Sequence, residues 1–121
     1  MKANLVKKKV VVQHRDIIKY QLLTHCFVEN IRISTNELDC LSLLGLYDEC
    51  GLSEFCNIAV EENIFKNPQT VRNFLTKAQK TKLIIKTGTN KKKIFLNKDL
   101  KIQTKGNIIL NYTFIYVAEN K

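Results

Sequence analysis

The dipeptide Asn67-Pro68 is the strongest structural boundary in this 121-residue sequence. Asn is favoured immediately before the first turn of a helix, and Pro inside that turn removes no hydrogen bond. The sequence therefore predicts a helix that begins at Pro68 and ends near Thr81. Its inward face is predicted to carry the apolar residues that recur at helical spacing, Val71, Phe74, Leu75 and Ala78.

The rest of this predicted helix is polar, with amide, hydroxyl and cationic side chains. These residues are Gln69, Thr70, Arg72, Asn73, Thr76, Lys77 and Lys80. Amides can read base edges, and hydroxyl and cationic groups can bind phosphates. We therefore predict that this face contacts DNA, with Asn73 or Gln69 best suited to adenine. A packing helix with a solvated polar face is the alternative.

Acidic and basic residues are separated along the chain. Residues 34–65 contain seven acidic residues and no Lys or Arg, whereas residues 66–105 contain twelve basic residues and one acid, Asp99. A positive lobe of this kind favours a polyanion such as nucleic acid, although a solvated lysine-rich surface is also common. We expect the acidic stretch to form the solvent side of two helices, or else a self-docking or mimicry surface.

A basic hairpin is predicted after the helix. Its strands are Leu83 to Thr87 and Ile94 to Asn97, and its flexible tip is formed by residues 88–90, Gly-Thr-Asn. Three consecutive lysines follow the tip on the returning strand. The residues predicted to contact the DNA backbone here are Lys86, Thr89, Asn90, Lys91, Lys92 and Lys93.

Two helices are predicted before Pro68. The sequence Ser-Thr-Asn-Glu at residues 34–37 is a capping box, which opens a helix to about Glu49 that Gly51 then ends. A second helix is predicted from Ser53 to about Asn63. The inward residues of the first are Leu38, Leu41, Leu44 and either Leu46 or Tyr47; those of the second are Phe55, Ile58 and Ala59.

The two ends of the chain add further elements. A strand is predicted at Lys7 to Gln13, and a helix capped by Asp16 from Ile17 to about Asn30. The inward residues of that helix are Ile17, Ile18, Leu22 and Cys26, with Leu23 as a further candidate. Residues 100–104 and 108–117 are predicted to pair as a C-terminal β-hairpin, and the second strand is apolar on both faces, as if a partner subunit covered it.

The order of these elements resembles that of winged helix-turn-helix proteins. The stretch from Pro68 to Lys86 is similar to the recognition helix and first wing strand of bacterial and phage regulators, and the resemblance covers residues 34–97. It implies an α+β fold in one domain: a winged-helix core at 34–97, an N-terminal strand-helix extension at 1–33 and the C-terminal β-hairpin at 98–121. It also implies that the helix at 68–81 enters the major groove of DNA, while the wing at Gly88 to Lys93 contacts phosphates or the minor groove.

This sequence departs from the family at three positions. The family usually has Gly where Lys82 stands, which predicts a less tight turn here, and an apolar residue where Gln79 stands. Arg72 is the only Arg in residues 66–105. Lys supplies phosphate affinity, whereas paired hydrogen bonds to guanine are mainly made by Arg. The resemblance therefore implies DNA binding more strongly than it implies sequence specificity.

Metal, cofactor and catalytic chemistry are not expected. The four cysteines (Cys26, Cys40, Cys50 and Cys56) have irregular spacing with no CxxC pair, so we predict buried, reduced thiols rather than a zinc site, and no cofactor. His14 and His25 are expected to be structural or exposed. No Gly-rich phosphate loop follows a predicted strand, and no nucleophile is paired with a base, so we expect a protein that is not an enzyme.

A membrane location is not expected either. No apolar run approaches the roughly 18 residues that a membrane span needs. The basic N-terminus is followed by only three consecutive valines, which are too few for the apolar core of a secretion signal. We therefore expect a cytoplasmic protein.

The leading hypothesis is a non-enzymatic regulator of transcription or replication in a bacterium, phage or mobile element. Its partner would be double-stranded DNA, and a homodimer would form through the N- and C-terminal extensions. The alternative is a phage structural or DNA-packaging component, virion-associated, which uses the same fold to bind assembly partners or DNA without sequence preference. Single-strand or RNA binding is a third hypothesis with less support, because Phe74 is predicted inward and the hairpin has no aromatic residue before Phe95.

Overall fold

In the computed structural model, the backbone is described for residues 3–11, 14–104 and 109–117, and the side chains for residues 15–104. The fold is α+β, as predicted. The described residues form four helices, a three-stranded antiparallel sheet and a two-stranded antiparallel sheet. In chain order the elements are β1 (Ala3–Val11), α1 (His14–Val28), α2 (Thr35–Leu44), β2 (Cys50–Gly51), α3 (Leu52–Glu61), α4 (Pro68–Lys80), β3 (Ile84–Thr87), β4 (Lys93–Leu96) and β5 (Ile109–Val117).

The core lies where α1, α2, α3 and α4 meet the inner face of the three-stranded sheet. Each helix contributes its apolar stripe, and the strands contribute the alternating residues that the pleat turns inward. The largest fully buried side chains are Phe55, Ile18, Leu22, Leu41, Leu44, Leu75, Leu83, Ile84 and Ile94. The inward positions predicted for α4 are all confirmed.

Helix α1 begins three residues earlier than the sequence predicts, at His14 rather than Ile17. Asp16 therefore lies in its first turn rather than at the cap, where a carboxylate still interacts favourably with the helix dipole. Ile17, Ile18, Leu22 and Cys26 are buried as predicted. Leu23 is not, because a residue one position after Leu22 turns away from the buried stripe; its side chain is 43% exposed.

The capping box of α2 is confirmed, but the helix ends at Leu44 instead of near Glu49. The Ser34 hydroxyl accepts a hydrogen bond from the Glu37 amide, and the Glu37 carboxylate accepts one from the Ser34 amide. At the other end, a Cβ atom on residue 45 would lie 2.9 Å from Ile18 and from Leu96. Gly45 allows this close approach, and the chain then leaves the helix to form β2.

The early end of α2 also changes the positions that follow it. One of Leu46 and Tyr47 was predicted inward, but both are exposed, at 46% and 39%. Gly51 does not end α2; it precedes the first turn of α3, which begins at Leu52 rather than Ser53. Sequence periodicity missed this break because the apolar spacing continues through it. The pairing of Cys50 with Ile94 and of Gly51 with Lys93 takes residues 50 and 51 into the sheet.

Three helices end in the same hydrogen-bonded turn. After α1, α3 and α4, the residues in the left-handed conformation are Asn30, Asn63 and Lys82, with φ of 57°, 59° and 62°. At each one, the next amide donates to a carbonyl five residues earlier, as from Leu83 to Ala78 at 2.9 Å. This is the Schellman arrangement, in which Gly or Asn is favoured. The expectation that Lys82 loosens the turn is wrong, because Lys82 forms the same turn as the two Asn residues.

The three-stranded sheet has the order β2-β4-β3, with both pairings antiparallel. Strands β3 and β4 form the predicted hairpin, and Ile84 and Leu96 are paired at its base. At its tip, Gly88 has φ of 83°, and Asn90 and Lys91 are also left-handed. The hairpin and its turn were therefore predicted correctly within one or two residues.

The predicted C-terminal β-hairpin is wrong. Strand β5 pairs with β1 at the other end of the chain, in an antiparallel register from Ala3 with Val117 to Val11 with Ile109. Residues 101–104 form no strand, and the predicted connection at 105–108 lies outside the described residues. The side chain of Gln21 replaces a strand partner for this segment, since it donates to the Gln103 carbonyl at 2.9 Å and accepts from the Gln103 amide at 2.8 Å.

Candidate nucleic-acid interface

Helix α4 has the two faces that its sequence predicts. The Asn67 side chain accepts hydrogen bonds from the Thr70 amide at 2.9 Å and from the Thr70 hydroxyl at 3.1 Å, which fixes the first turn. The apolar stripe is buried. Six of the seven predicted DNA contacts on this helix are exposed, Gln69, Thr70, Asn73, Thr76, Lys77 and Lys80. One face of α4 is therefore packed in the core, and the opposite face is exposed to solvent.

The two amide side chains of this face are hydrogen-bonded to each other. Gln69 Nε2 donates to Asn73 Oδ1 at 2.9 Å, one helical turn apart. This pair holds both amides on the exposed face and leaves the Asn73 amide nitrogen and the Gln69 carbonyl for an outside partner. One donor and one acceptor are the complement of an adenine edge in the major groove.

Arg72 is the seventh predicted contact, and it is only partly exposed. Its guanidinium donates to the hydroxyl of Ser53, in the first turn of α3, at 3.0 Å. A guanidinium has five N–H donors, so one bond to Ser53 leaves others for a phosphate or base. Arg72 therefore joins α4 to α3 while it keeps donors at the surface.

The hairpin is tied to the same point of α3. The Leu52 amide donates to the Lys92 carbonyl at 2.7 Å, and Leu52 is the direct neighbour of Ser53. Through these consecutive residues, the start of α3 contacts the lysine segment on one side and Arg72 on the other. The two elements that carry predicted DNA contacts, α4 and the hairpin, therefore both contact the first turn of α3.

Cations from α4 and from the hairpin also contribute to the electrostatic environment of the Cys56 thiol. Burial raises the pKa of Cys56, and the positive charges of Arg72 and Lys86 act in the opposite direction. One of these cations belongs to α4 and the other to β3, so charges from both elements act on the same buried thiol. Lys86 itself is partly exposed.

The tip of the hairpin presents its polar and cationic residues to solvent. Thr89, Asn90, Lys91, Lys92 and Lys93 are all exposed. The Lys91 amide donates to the Gly88 carbonyl at 3.1 Å, which closes the turn. The predicted backbone contacts of this segment therefore form one short basic surface, with Lys93 at the start of β4.

Two of the predicted contact lysines have carboxylate partners within the chain. Lys77 Nζ lies 3.5 Å from Glu37, and Lys93 Nζ lies 3.5 Å from Glu49. Both lysines are more than half exposed, whereas the Glu37 side chain is only 18% exposed; ion pairs at the protein surface contribute about 0.2–1 kcal/mol. The acidic stretch is thus partly engaged with the basic one, weakly enough for a phosphate to compete.

Ser53 is the functional candidate that sequence reasoning missed. It was assigned only as the start of a helix, although an exposed hydroxyl in the first turn after Gly51 is also a signal for a surface hydrogen bond. Lys98 is a second addition, since its Nζ lies 5.6 Å from the centre of the Phe95 ring. That cation–π contact orients a lysine beside the hairpin.

Other kinds of site find little support in the described part of the chain. Its four cysteines are buried free thiols, as predicted. No group of three or more His, Cys, Asp or Glu residues among the described residues could hold a metal ion. None of the helices within residues 14–104 has the length and hydropathy of a membrane span.

Comparison of this chain with protein-family models, with curated proteins and with solved structures finds no significant match.

Proposed function

We propose that this protein is a non-enzymatic, winged-helix DNA-binding protein, a regulator of transcription or replication that acts as a homodimer. In this proposal α4 is the recognition helix and the hairpin of β3 and β4 is the wing. The proposed site consists of the exposed polar face of α4, Arg72 with Ser53, and the basic hairpin tip.

The element order supports the winged-helix assignment. Helix α2, the short strand β2, helices α3 and α4 and the hairpin follow one another, and β2 pairs with the returning strand β4. This arrangement brings the strand between the first two core helices into the same sheet as the wing. Apart from β2, which the sequence did not predict, this is the order of three helices and a hairpin on which the resemblance of residues 34–97 is based.

The observation that carries the proposal is that α4 and the hairpin both contact the first turn of α3. Lys92 contacts Leu52 through the backbone, and Arg72 contacts the adjacent Ser53 through its side chain. A duplex that contacts the α4 face would therefore have cationic hairpin residues close to it. Lysines that neutralise phosphates release counterions, so affinity would fall steeply with salt.

The direct test is fluorescence anisotropy of labelled AT-rich and random-sequence duplexes across a salt series. We expect log affinity to fall with log salt at a slope that corresponds to roughly 4–8 phosphate contacts. Replacement of Lys91, Lys92 and Lys93 by Ala should lower the slope by up to about 3 and weaken all duplexes alike. No binding at low salt would contradict the proposal.

The chain offers a charge-matched control for this experiment. Lys7, Lys8 and Lys9 are also three consecutive lysines, and they belong to β1 rather than to the hairpin. Their replacement by Ala removes the same charge. If both triple variants weaken binding equally, net charge rather than the wing is responsible.

The amide pair tests sequence reading separately. Asn73→Ala should change the ranking of duplexes, with a loss of about 1–3 kcal/mol at an adenine-containing site, and it should leave the salt slope almost unchanged. A uniform loss across all sequences would show that Asn73 contacts the DNA backbone instead of a base.

The alternative function, a phage assembly component, has its own test. Large particles in light scattering, without DNA binding, would favour it.

A further inference from the structure

Helix α1 exposes an apolar face on the side opposite the core. Tyr20, Leu23 and Phe27 follow one another at spacings of three and four residues, so they form a single stripe. Their side chains are 46%, 43% and 85% exposed, and Val28 beside them is 70% exposed. An exposed stripe of large apolar side chains, two of them aromatic, is typical of an interaction surface rather than of open solvent.

Opposite charges lie at the two ends of this stripe. Asp16 is in the first turn of α1, and Arg32 follows the end of the helix. Both are exposed, and neither has an ion-pair partner within residues 15–104. Position 24 is the midpoint between them. If the α1 helix of a second copy lies antiparallel to the first and both are centred on position 24, the Asp16 of each copy lies opposite the Arg32 of the other. The stripe is therefore self-complementary in charge.

We propose that this α1 face binds the same face of a second copy, with the two helices antiparallel about a twofold axis near Thr24. Phe27 of each copy then packs between Tyr20 and Leu23 of the other, and Asp16 faces the Arg32 of the other copy at both ends. A parallel arrangement would bring Asp16 against Asp16 instead. This inference deepens the proposed function because it places the interface of the homodimer. It rests on the proposed function only in taking the dimer as the form that binds DNA.

An antiparallel pair of this kind has the anatomy of a twofold interface. The same patch is used by both copies, as an isologous contact requires. Aromatic side chains lie at its centre and charged groups at its rim, the distribution found in stable interfaces. The stripe faces away from Ile18 and Leu22, so pairing leaves the core of each copy unchanged.

Sedimentation analysis of the full chain tests the interface. We expect a dimer for the wild type, and for Phe27→Asp a dissociation constant raised by at least about thirtyfold. Leu46→Asp is the matched control, because Leu46 is 46% exposed and lies outside α1. Circular dichroism establishes that both variants are folded. A monomeric wild type, or a Phe27→Asp dimer as tight as the control, would overturn the proposal.

Charge exchange and cross-linking test the orientation. Asp16→Arg and Arg32→Asp should each weaken the dimer, and the double variant should restore it. A short bis-maleimide should link Thr24→Cys to its copy but not Asp16→Cys, because two residues at position 16 would be about 24 Å apart along antiparallel helices. Linkage at 16 and not at 24 would refute the antiparallel arrangement. A monomer that binds DNA would overturn this inference and the homodimer of the proposed function, but not DNA binding. A dimer that does not bind DNA would overturn the proposed DNA binding and leave this inference standing.

Discussion

Helices α2 and α4 begin alike but are buried in different ways. Each starts with a polar side chain that accepts a hydrogen bond from the third residue of the helix. In α2, six of ten residues are buried, whereas in α4 only four of thirteen are. Helix α2 packs against α1, α3 and β4, so it fixes their positions. Helix α4 buries one stripe and retains a polar face, which makes it the helix available to a partner.

Helices α2 and α4 also differ in where their polar side chains form hydrogen bonds. Ser42 is fully buried in α2, and its hydroxyl donates to the Asp39 carbonyl at 2.9 Å, so the buried group is satisfied inside the helix. In α4 the comparable groups, Gln69 and Asn73, bond to each other at the surface and keep further donors and acceptors. A polar group of α2 is therefore satisfied inside the packed helix, whereas polar groups of α4 keep hydrogen-bonding capacity at the surface.

The largest expected effect is on packing around α2. Leu41→Ala should lower the free energy of unfolding by about 2–5 kcal/mol, because Leu41 is fully buried and the substitution leaves a cavity. Thr76→Ala on the open face of α4 should change it by less than about 0.5 kcal/mol. Urea denaturation measures both. Equal losses would remove the distinction between the two helices.

A pH titration probes the interior of α2. Burial raises the pKa of Cys40 to about 12, and the unfolded thiol ionises near its ordinary value of 9.0. The contribution to stability is therefore complete below pH 9 and is lost as the pH rises towards 12, by about 1.4 kcal/mol per unit of pKa difference. Cys40→Ala should reduce this alkaline loss. A slope identical to that of wild type would show that the Cys40 thiol is not protected.

The cap of α4 should have a smaller effect. Asn67→Ala removes the acceptor for the Thr70 amide and hydroxyl and should lower the free energy of unfolding by about 1 kcal/mol. Asn67→Asp keeps an acceptor oxygen and should retain most of the stability. Thermal unfolding compares the three proteins. If the Asp variant loses as much as the Ala variant, the cap hydrogen bond is not the cause.

The smallest expected effect concerns the contact between the two helices. Glu37→Gln preserves the capping box but frees Lys77, so affinity for DNA at low salt should rise by roughly twofold to fivefold, the value of an exposed ion pair. Asp39→Asn is the control, since Asp39 pairs with Lys19 of α1 at 2.8 Å. Both variants remove one negative charge. An equal gain in the control would attribute the effect to net charge.

Local signals in the sequence predicted most of the helices and the hairpin. The Ser34 capping box and the Asn67-Pro68 boundary specify their own hydrogen bonds, so the starts of α2 and α4 follow from a few adjacent residues. The end of α2 does not, because Gly45 is required by its contacts with Ile18 and Leu96, which are distant in sequence. The starts of α2 and α4 were therefore easier to predict than this tertiary break.

Local sequence signals also failed to predict the long-range pairing of β5, because its partner strand lies far away in the sequence. The strand character of residues 109–117 was evident, but alternation does not identify the partner strand, and the nearer segment at 100–104 was chosen instead of β1. The candidate contacts followed from helical spacing, yet the bond between Arg72 and Ser53 depends on how α3 and α4 cross. Sequence thus predicted which residues are available, and the tertiary structure supplied their neighbours.

The pairing of β1 with β5 has a consequence for how the chain is made. Residue 3 leaves the ribosome more than a hundred residues before residue 117, yet the two are register partners. During synthesis β1 therefore has no native partner until β5 has also been made, and its backbone donors and acceptors remain open to other chains. Nascent chains that stall before β5 should recruit chaperones or aggregate through β1, even when α2 and its neighbours have already packed.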